Sequence, residues 1–148
     1  MTIGQVEEAW RAGKVPYRDG LYRPDDTGVE LLFDGPGEYH PDAGQPLRWC
    51  IRGPLDVAHV LEQHGTGEVE VNDEGPLPDG SGWMSVGDLG LGHTAYIARL
   101  HPDRSLRWVV FSAASNPFIR VRYEGRKAII TNDWRNLLIL DLDDSAFG

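Results

Sequence analysis

The chain has 148 residues, of which 41% are hydrophobic and 25% are charged, and its formal net charge at pH 7 is −9. This composition is typical of a globular protein of one domain and excludes a disordered chain. No apolar run approaches the ~20 residues of a membrane-spanning helix, and the acidic balance argues against nucleic acid as a partner.

The N-terminal stretch MTIGQVEEAWRAGK carries acids early and lacks the apolar core of a signal peptide. Cys50 is the only cysteine, so an internal disulfide is excluded. It lies in the strand-like run LRWCI, where we interpret it as a buried small hydrophobe. Together these features favour a cytoplasmic protein.

The pattern near the N-terminus predicts a helix over residues 3–12. Ile3, Val6 and Trp10 form an apolar stripe, and Gly13 stands where a left-handed residue ends a helix. Thr2 with a glutamine three residues later fits a capping box. Residues 16–46 are rich in proline, glycine and aspartate, which predicts loops around one strand at 29–33.

A strand is predicted at 47–52, and a second helix at 54–64 follows it. Pro54 suits the first helical turn, where its missing N–H is not needed, and Gly65 suits the end. Leu55, Ala58 and Leu61 form its apolar stripe, widened by Val57 and Val60. We expect this helix to pack on one face of a sheet.

Further strands are predicted at 68–71, 83–86 and 93–100, with a loop at 72–82. The C-terminal third reads as four strands joined by turns, which predicts an antiparallel meander: 106–111, 118–123, 127–131 and 137–141. In the second of these, alternation places Ile119, Val121 and Tyr123 on the core face and Arg120 with Arg122 on the open face.

These elements predict an α+β fold. It contains a mostly antiparallel sheet of about seven to nine short strands and two short helices, all in one domain covering residues 1–148. No repeat or low-complexity tract interrupts the chain.

The charge is unevenly distributed along the chain. Residues 16–80 contain fourteen acids and four arginines, a net of −10, whereas residues 99–135 contain eight bases and three acids, a net of +5. An acidic surface steers basic partners toward a protein, and tyrosine and tryptophan anchor interfaces. The acidic residues and neighbouring aromatic residues therefore predict a partner-binding surface: Tyr17, Tyr22, Asp25, Asp26, Glu30, Glu38, Tyr39, Asp42, Glu68, Glu70, Asp73, Glu74 and Trp83.

The favoured hypothesis is a small acidic binding protein without catalytic activity. Its concrete form is an inhibitor of a basic protein, such as an immunity protein that neutralises a bacterial toxin. GDLGLG has the wrong spacing for a phosphate loop, and GxSxG, HExxH, CxxC and EF-hand patterns are missing from the sequence. We therefore expect no cofactor and no metal.

Two alternatives remain open. One is a small-molecule-binding protein or enzyme with a pocket between the sheet and helix 54–64, for which Asp88, His93 and His101 are the candidate residues. The other is a structural or regulatory subunit that uses the basic face of Arg120 and Arg122. The sequence does not predict an oligomeric state.

Overall fold

The structure, a computed structural model, describes residues 3–34, 46–90, 94–133 and 135–144. Two helices lie in these ranges: α1 (Gln5–Arg11) and α2 (Val57–His64). The strands are β1 (Lys14–Pro16), β2 (Gly20–Tyr22), β3 (Gly28–Asp34), β4 (Pro46–Leu55), β5 (Thr66–Glu68), β6 (Glu70–Pro76), β7 (Trp83–Asp88), β8 (Ala95–Leu100), β9 (Leu106–Ser112), β10 (Phe118–Glu124), β11 (Lys127–Asn132) and β12 (Leu137–Asp141). The predicted α+β class is confirmed.

Ten strands form one nearly closed, barrel-like sheet in the order β10-β11-β12-β4-β3-β2-β9-β8-β7-β6. Adjacent strands of this sheet pair antiparallel, except that β12 and β4 pair in parallel over two residues. The remaining strands, β1 and β5, form a small antiparallel sheet of their own. The sheet is therefore mostly antiparallel, as predicted, and has more strands than expected.

The two buried layers lie on opposite faces of the sheet. The interior of the barrel is filled by apolar side chains from nearly every strand, among them Leu31, Ile97 and Trp108. On the outside, α1, α2 and β1 cover strands β2, β7, β8 and β9 with a second apolar layer that includes Val6 and Val60. These strands are buried on both faces, which explains why β8 and β9 read as continuous apolar runs.

Helix α1 begins at Gln5, because a distant side chain supplies its N-terminal cap. The carboxylate of Asp26 accepts hydrogen bonds from the backbone N–H groups of Gln5 (3.0 Å) and Val6 (2.9 Å). The predicted capping residue, Thr2, lies outside the described residues. Gly13 has φ +75°, so the predicted end of the helix is confirmed.

Helix α2 begins at Val57, three residues later than predicted. Pro54 belongs to β4 and pairs with Val29, so its assignment to the first helical turn is wrong. The cap is Asp56, whose carboxylate accepts from the backbone N–H of His59 at 3.1 Å. Val57 and Val60 are buried, whereas Ala58 is exposed. The helix packs on the sheet as expected, but through Val57 and Val60 and not through the predicted stripe that includes Ala58.

The C-terminal meander is confirmed for β10, β11 and β12 and is wrong for β9. Strand β9 pairs with β8 on one side and β2 on the other. Strand β2 is a three-residue segment of the N-terminal region, too short to show an alternating pattern. Strand β2 is therefore the neighbour of β9 in the place where β10 was expected.

Strand β6 falls in the segment that was predicted as a loop. Glu70–Pro76 contains glycine, proline, asparagine and three acids, a composition unfavourable for strands. Pairing with β7 over its whole length nevertheless holds it extended. The predicted strand 68–71 is divided between β5 and β6.

A β-bulge in β10 corrects the predicted alternation. Phe118 pairs with Asn132 and Arg120 with Thr131, so Ile119 is an extra residue without a cross-strand partner. Phe118 takes the buried position, and Ile119 is 44% exposed. Placing Ile119 on the core face was therefore wrong, whereas Val121 and Tyr123 pack against the core as predicted.

The barrel is closed between β6 and β10 by side chains that bond to backbone groups. The Nδ2 of Asn72 donates to the carbonyl of Phe118 and to the carboxylate of Asp88, both at 2.9 Å. The N–H of Val121 donates to the carboxylate of Asp73 at 2.9 Å. We call this junction the seam.

Within the described ranges, neither helix has the length and apolar character needed to cross a bilayer.

Candidate functional site

Three turns meet at one end of the barrel: 23–27, 77–82 and 101–105. Tyr22 pairs with Val109, and Trp83 pairs with Leu100, so the segments that continue from these residues lie side by side. The indole N–H of Trp83 also donates to the carbonyl of Pro102, at 3.4 Å. We call this the cleft end.

An open cleft of about 360 Å³ lies at this end, between α1 and the turn that joins β8 to β9. Its volume is in the range of small-ligand sites, roughly 300–1,000 Å³. The lining combines apolar and ionisable side chains, which include Ile3, Glu7, Arg11, Pro24, His101 and Leu106. The cleft therefore offers both packing surface and charge.

Glu7 is the buried acid of the cleft, with a side chain only 8% exposed. Its Oε2 accepts from the backbone N–H of Leu106 at 3.2 Å. Its Oε1 lies 3.5 Å from Nε of Arg11, whose side chain is 59% exposed. The carboxylate is thus fixed through one oxygen and only loosely paired through the other.

Two exposed aspartates lie on the turns 23–27 and 101–105, which contribute Pro24, His101 and Ser105 to the lining of the cleft. Asp25 accepts hydrogen bonds from the hydroxyl (2.6 Å) and N–H (3.0 Å) of Thr27, and these bonds lower its pKa. Asp103 makes the same arrangement with Ser105, with the same effect on its pKa. Neither forms an ion pair with a basic side chain of the described ranges. Both are ionised at neutral pH and point their charge at solvent.

A second feature of the cleft end joins an aromatic ring, a cation and an acid. Arg104 forms a salt bridge with Glu74, and its guanidinium carbon lies 4.6 Å from the ring centroid of Trp83. Cation–π contact and salt bridge hold Arg104 in place. This arrangement neutralises Glu74, so its charge is not available in full to a partner.

Arg126 bridges two acids at the edge of the same end. It forms salt bridges with Asp79 and, at 2.8 Å, with Asp143. These bonds raise the pKa of Arg126 and lower the pKa of Asp143. All three side chains are substantially exposed, and such pairs stabilise a fold weakly. The cluster joins the C-terminal segment to the turn 77–82.

The structure divides the predicted binding residues between separate places. The cleft end contains Asp25, Asp26, Glu74, Trp83 and, from the alternative site, His101. Glu70 and Asp88 are cross-strand neighbours at the opposite end of β6 and β7, and exposed Glu68 precedes Glu70 by two residues. Glu38, Tyr39, Asp42 and His93 lie outside the described residues.

Three further predicted residues, Tyr22, Tyr17 and Glu30, each have a different environment. Tyr22 is fully buried in the outer apolar layer, so it is removed from any binding surface. Tyr17 is half-buried, with its ring centroid 5.1 Å from that of Phe111. Glu30 lies on β3, 4.0 Å from the guanidinium of Arg18.

Several predicted acids are engaged in holding the fold together. Asp26 caps α1, and Asp73 accepts a backbone N–H across the seam. Asp88 is buried, where it accepts from Asn72 and from the N–H of Gly90 at 2.6 Å. Reversing the charge of Asp26, Asp73 or Asp88 would therefore destabilise the fold.

Glu7 and Arg11 were missed as site residues by the sequence analysis. The sequence does contain a signal for Glu7. It lies four residues after Ile3 and three before Trp10, so helical spacing places it on the apolar face of the predicted helix. An acid in that position needs a partner. The partner, the N–H of Leu106, is 99 residues away in the chain.

Two other expectations concern exposed groups. Cys50 is exposed, so its assignment as a buried hydrophobe is wrong. It falls on the outer face of β4, opposite Leu32. Arg120 and Arg122 are exposed on β10, as expected for its open face.

In the parts of the chain that the structure describes, no three His, Cys, Asp or Glu side chains group together as a metal site would require. Comparison with protein families, with curated proteins and with solved structures finds no match to this chain. The geometry and charge of the cleft end are therefore the features from which a function can be inferred.

Proposed function

We propose that this chain is a cytoplasmic binding protein that recognises a basic protein and blocks its activity, as an immunity protein blocks a toxin. The observation that carries the proposal is the pair Asp25 and Asp103. Both are exposed, both have a pKa lowered by hydrogen bonds from their own turns, and both lie on turns that contribute residues to the lining of the cleft.

The overall charge supports the same proposal. A net charge of −9 attracts a basic partner over distances of about a Debye length, ~8 Å at physiological salt. Local carboxylates then select the orientation of the complex. Trp83, half-buried beside the turn 101–105, offers an aromatic contact next to these charges.

A second candidate function is the binding of a small molecule, favoured by the volume of the cleft and the buried carboxylate within it. This site differs from the predicted one, since it lies against α1 and excludes Asp88. The first function requires the cleft end to bind a basic protein, and the second requires it to bind a small molecule. One experiment separates the two.

The test compares capture by the wild-type chain with capture by two charge-reversal variants. The immobilised chain is exposed to lysate and culture medium of the source organism at low and at ~0.15 M salt. One variant combines Asp25→Lys with Asp103→Lys. The other combines Glu62→Lys with Asp133→Lys, two exposed acids away from the cleft end, and so has the same net charge.

We expect the wild-type chain to retain one basic protein stoichiometrically and to inhibit its activity. The Asp25/Asp103 variant should weaken the Kd at least about tenfold and reduce its salt dependence, whereas the Glu62/Asp133 variant should not. An equal loss in both variants would reduce the effect to net charge and contradict a specific site. Capture of a small ligand without any protein would favour the second function.

A further inference from the structure

The lining of the open cleft has chemistry that suits one basic side chain, and we call this site the socket. Ile3, which is 41% exposed, and Pro24 form apolar walls of the cleft, and the buried residues Leu106 and Glu7 also contribute to its lining. An arginine or lysine has an apolar stem of three or four carbons that packs against such walls while its charged head seeks a carboxylate. Glu7 provides that carboxylate beside these apolar residues.

The pairing within the cleft leaves room for an incoming cation. The Nε of Arg11 is 3.5 Å from Oε1 of Glu7, longer than the 2.7–2.9 Å of a charge-assisted hydrogen bond. The side chain of Arg11 is 59% exposed, so it can turn outward when an incoming guanidinium takes its place beside the carboxylate. The buried carboxylate then accepts a stronger bond from a guanidinium held in place by the walls.

We propose that the cleft binds an arginine side chain of the basic partner, with Glu7 as the acceptor and Arg11 as the group that is displaced. This inference depends on the proposed function and names the group of the partner that the site recognises. Arginine is favoured over lysine because its planar fork presents several N–H donors in a geometry that matches a carboxylate. Asp25 and Asp103 give the rim of the cleft the charge that guides the guanidinium inward.

The probe is N-acetyl-L-argininamide, titrated into the ¹⁵N-labelled full-length chain and followed by amide chemical shifts. The matched probe is N-acetyl-L-citrullinamide, which has nearly the same shape and no charge. We expect saturable shifts at the amides of Gly4, Ser105 and Leu106 at millimolar concentration with the first probe and not with the second. Equal shifts with both probes, or none with either, would overturn the proposal.

Three variants assign the effect to residues. Glu7→Gln keeps an oxygen for the N–H of Leu106 and should weaken argininamide binding about tenfold, equivalent to about 1.4 kcal/mol. Glu8→Gln, on the exposed side of the same helix, should leave binding unchanged. Arg11→Ala removes the competing cation and should tighten binding, so weaker binding in this variant would refute the displacement even if Glu7→Gln failed to fold.

The outcomes separate this inference from the proposed function. Argininamide binding by a chain that captures no basic protein would support the socket and refute the inhibitor. A captured basic partner whose Kd is the same for wild type and Glu7→Gln would support the inhibitor and refute the socket.

Discussion

At the scale of single residues, neighbouring acids have different roles that composition does not distinguish. Asp25 bonds only within its own turn and presents its charge to solvent, whereas Asp26 uses both carboxylate oxygens to cap α1. Asp26 also has φ +65°, a left-handed conformation that costs most residues about 1–2 kcal/mol. The first is available to the proposed partner, and the second stabilises the fold.

Substitution of Asp26 should therefore show two separable costs. Asp26→Ala loses the cap and strains the backbone, and should lower the free energy of unfolding by about 2 kcal/mol. Asp26→Gly loses only the cap and should cost about 1 kcal/mol, while Asp26→Asn keeps an acceptor and tolerates positive φ, so it should cost least. Urea denaturation measures this order, and equal costs for Asn and Gly would show that the cap contributes nothing.

At the scale of elements, the bulge in β10 decides which residues of an alternating strand enter the core. Without it, Ile119 would share a face with Val121 and Tyr123, as the sequence pattern predicted. With one extra residue, Phe118 replaces Ile119 inside and the rest of the strand keeps its register. Alternation is reliable only in segments where no residue is inserted.

A pair of substitutions in β10 tests this placement. Val121→Asp brings a carboxylate into the half-buried layer near Asp73 and should lower the free energy of unfolding by at least about 2 kcal/mol. Ile119→Asp replaces an exposed side chain at the bulge and should cost less than about 1 kcal/mol. Thermal unfolding of the two variants provides the comparison. A larger loss for Ile119→Asp would contradict the bulge.

At the scale of the whole molecule, the seam is where the barrel depends on side chains for its closure. Asn72 bridges β6, β7 and β10 through two hydrogen bonds, and Asp73 adds a third contact. Elsewhere in the sheet, backbone ladders hold neighbouring strands together. Bulges in both β6 and β10 lie close to this junction, as is common at the edges and rims of sheets.

We expect Asn72→Ala to loosen the seam without unfolding the barrel. Loss of the amide leaves the Phe118 carbonyl and the Asp88 carboxylate short of a donor, at a cost of about 1–3 kcal/mol. Hydrogen exchange of amides in β10 should accelerate about tenfold, while exchange in β8 and β9 should not change. Glu74→Ala, also on β6, removes only a surface salt bridge and is the control. Uniform acceleration in all strands would indicate global destabilisation instead.

Much of the local structure follows from the sequence. The periods of apolar residues identify the two helices and most of the longer strands, because those patterns reflect which face of one segment is buried. Strands β2 and β6 have no such pattern. One is too short to carry a pattern, and the other has a composition that only pairing with β7 keeps extended.

The candidate site was predictable only in part. The acidic character of the chain and the candidacy of Asp25 and His101 could be read from composition and position. The cleft itself joins residues 3–11 to residues 101–106, and sequence spacing contains no information on contacts between segments so distant. The tertiary structure alone decides that Glu7 meets Leu106 and that Tyr22 is buried.

The sequence by itself determined the fold class, the acidic charge and the faces of most helices and strands, because these depend on local periodicity and on composition. The tertiary structure decided the order of strands around the barrel, the closure at the seam and the composition of the cleft. The physical reason is that these features depend on long-range packing and on hydrogen bonds between distant residues, which form only when the whole sheet curls around its core.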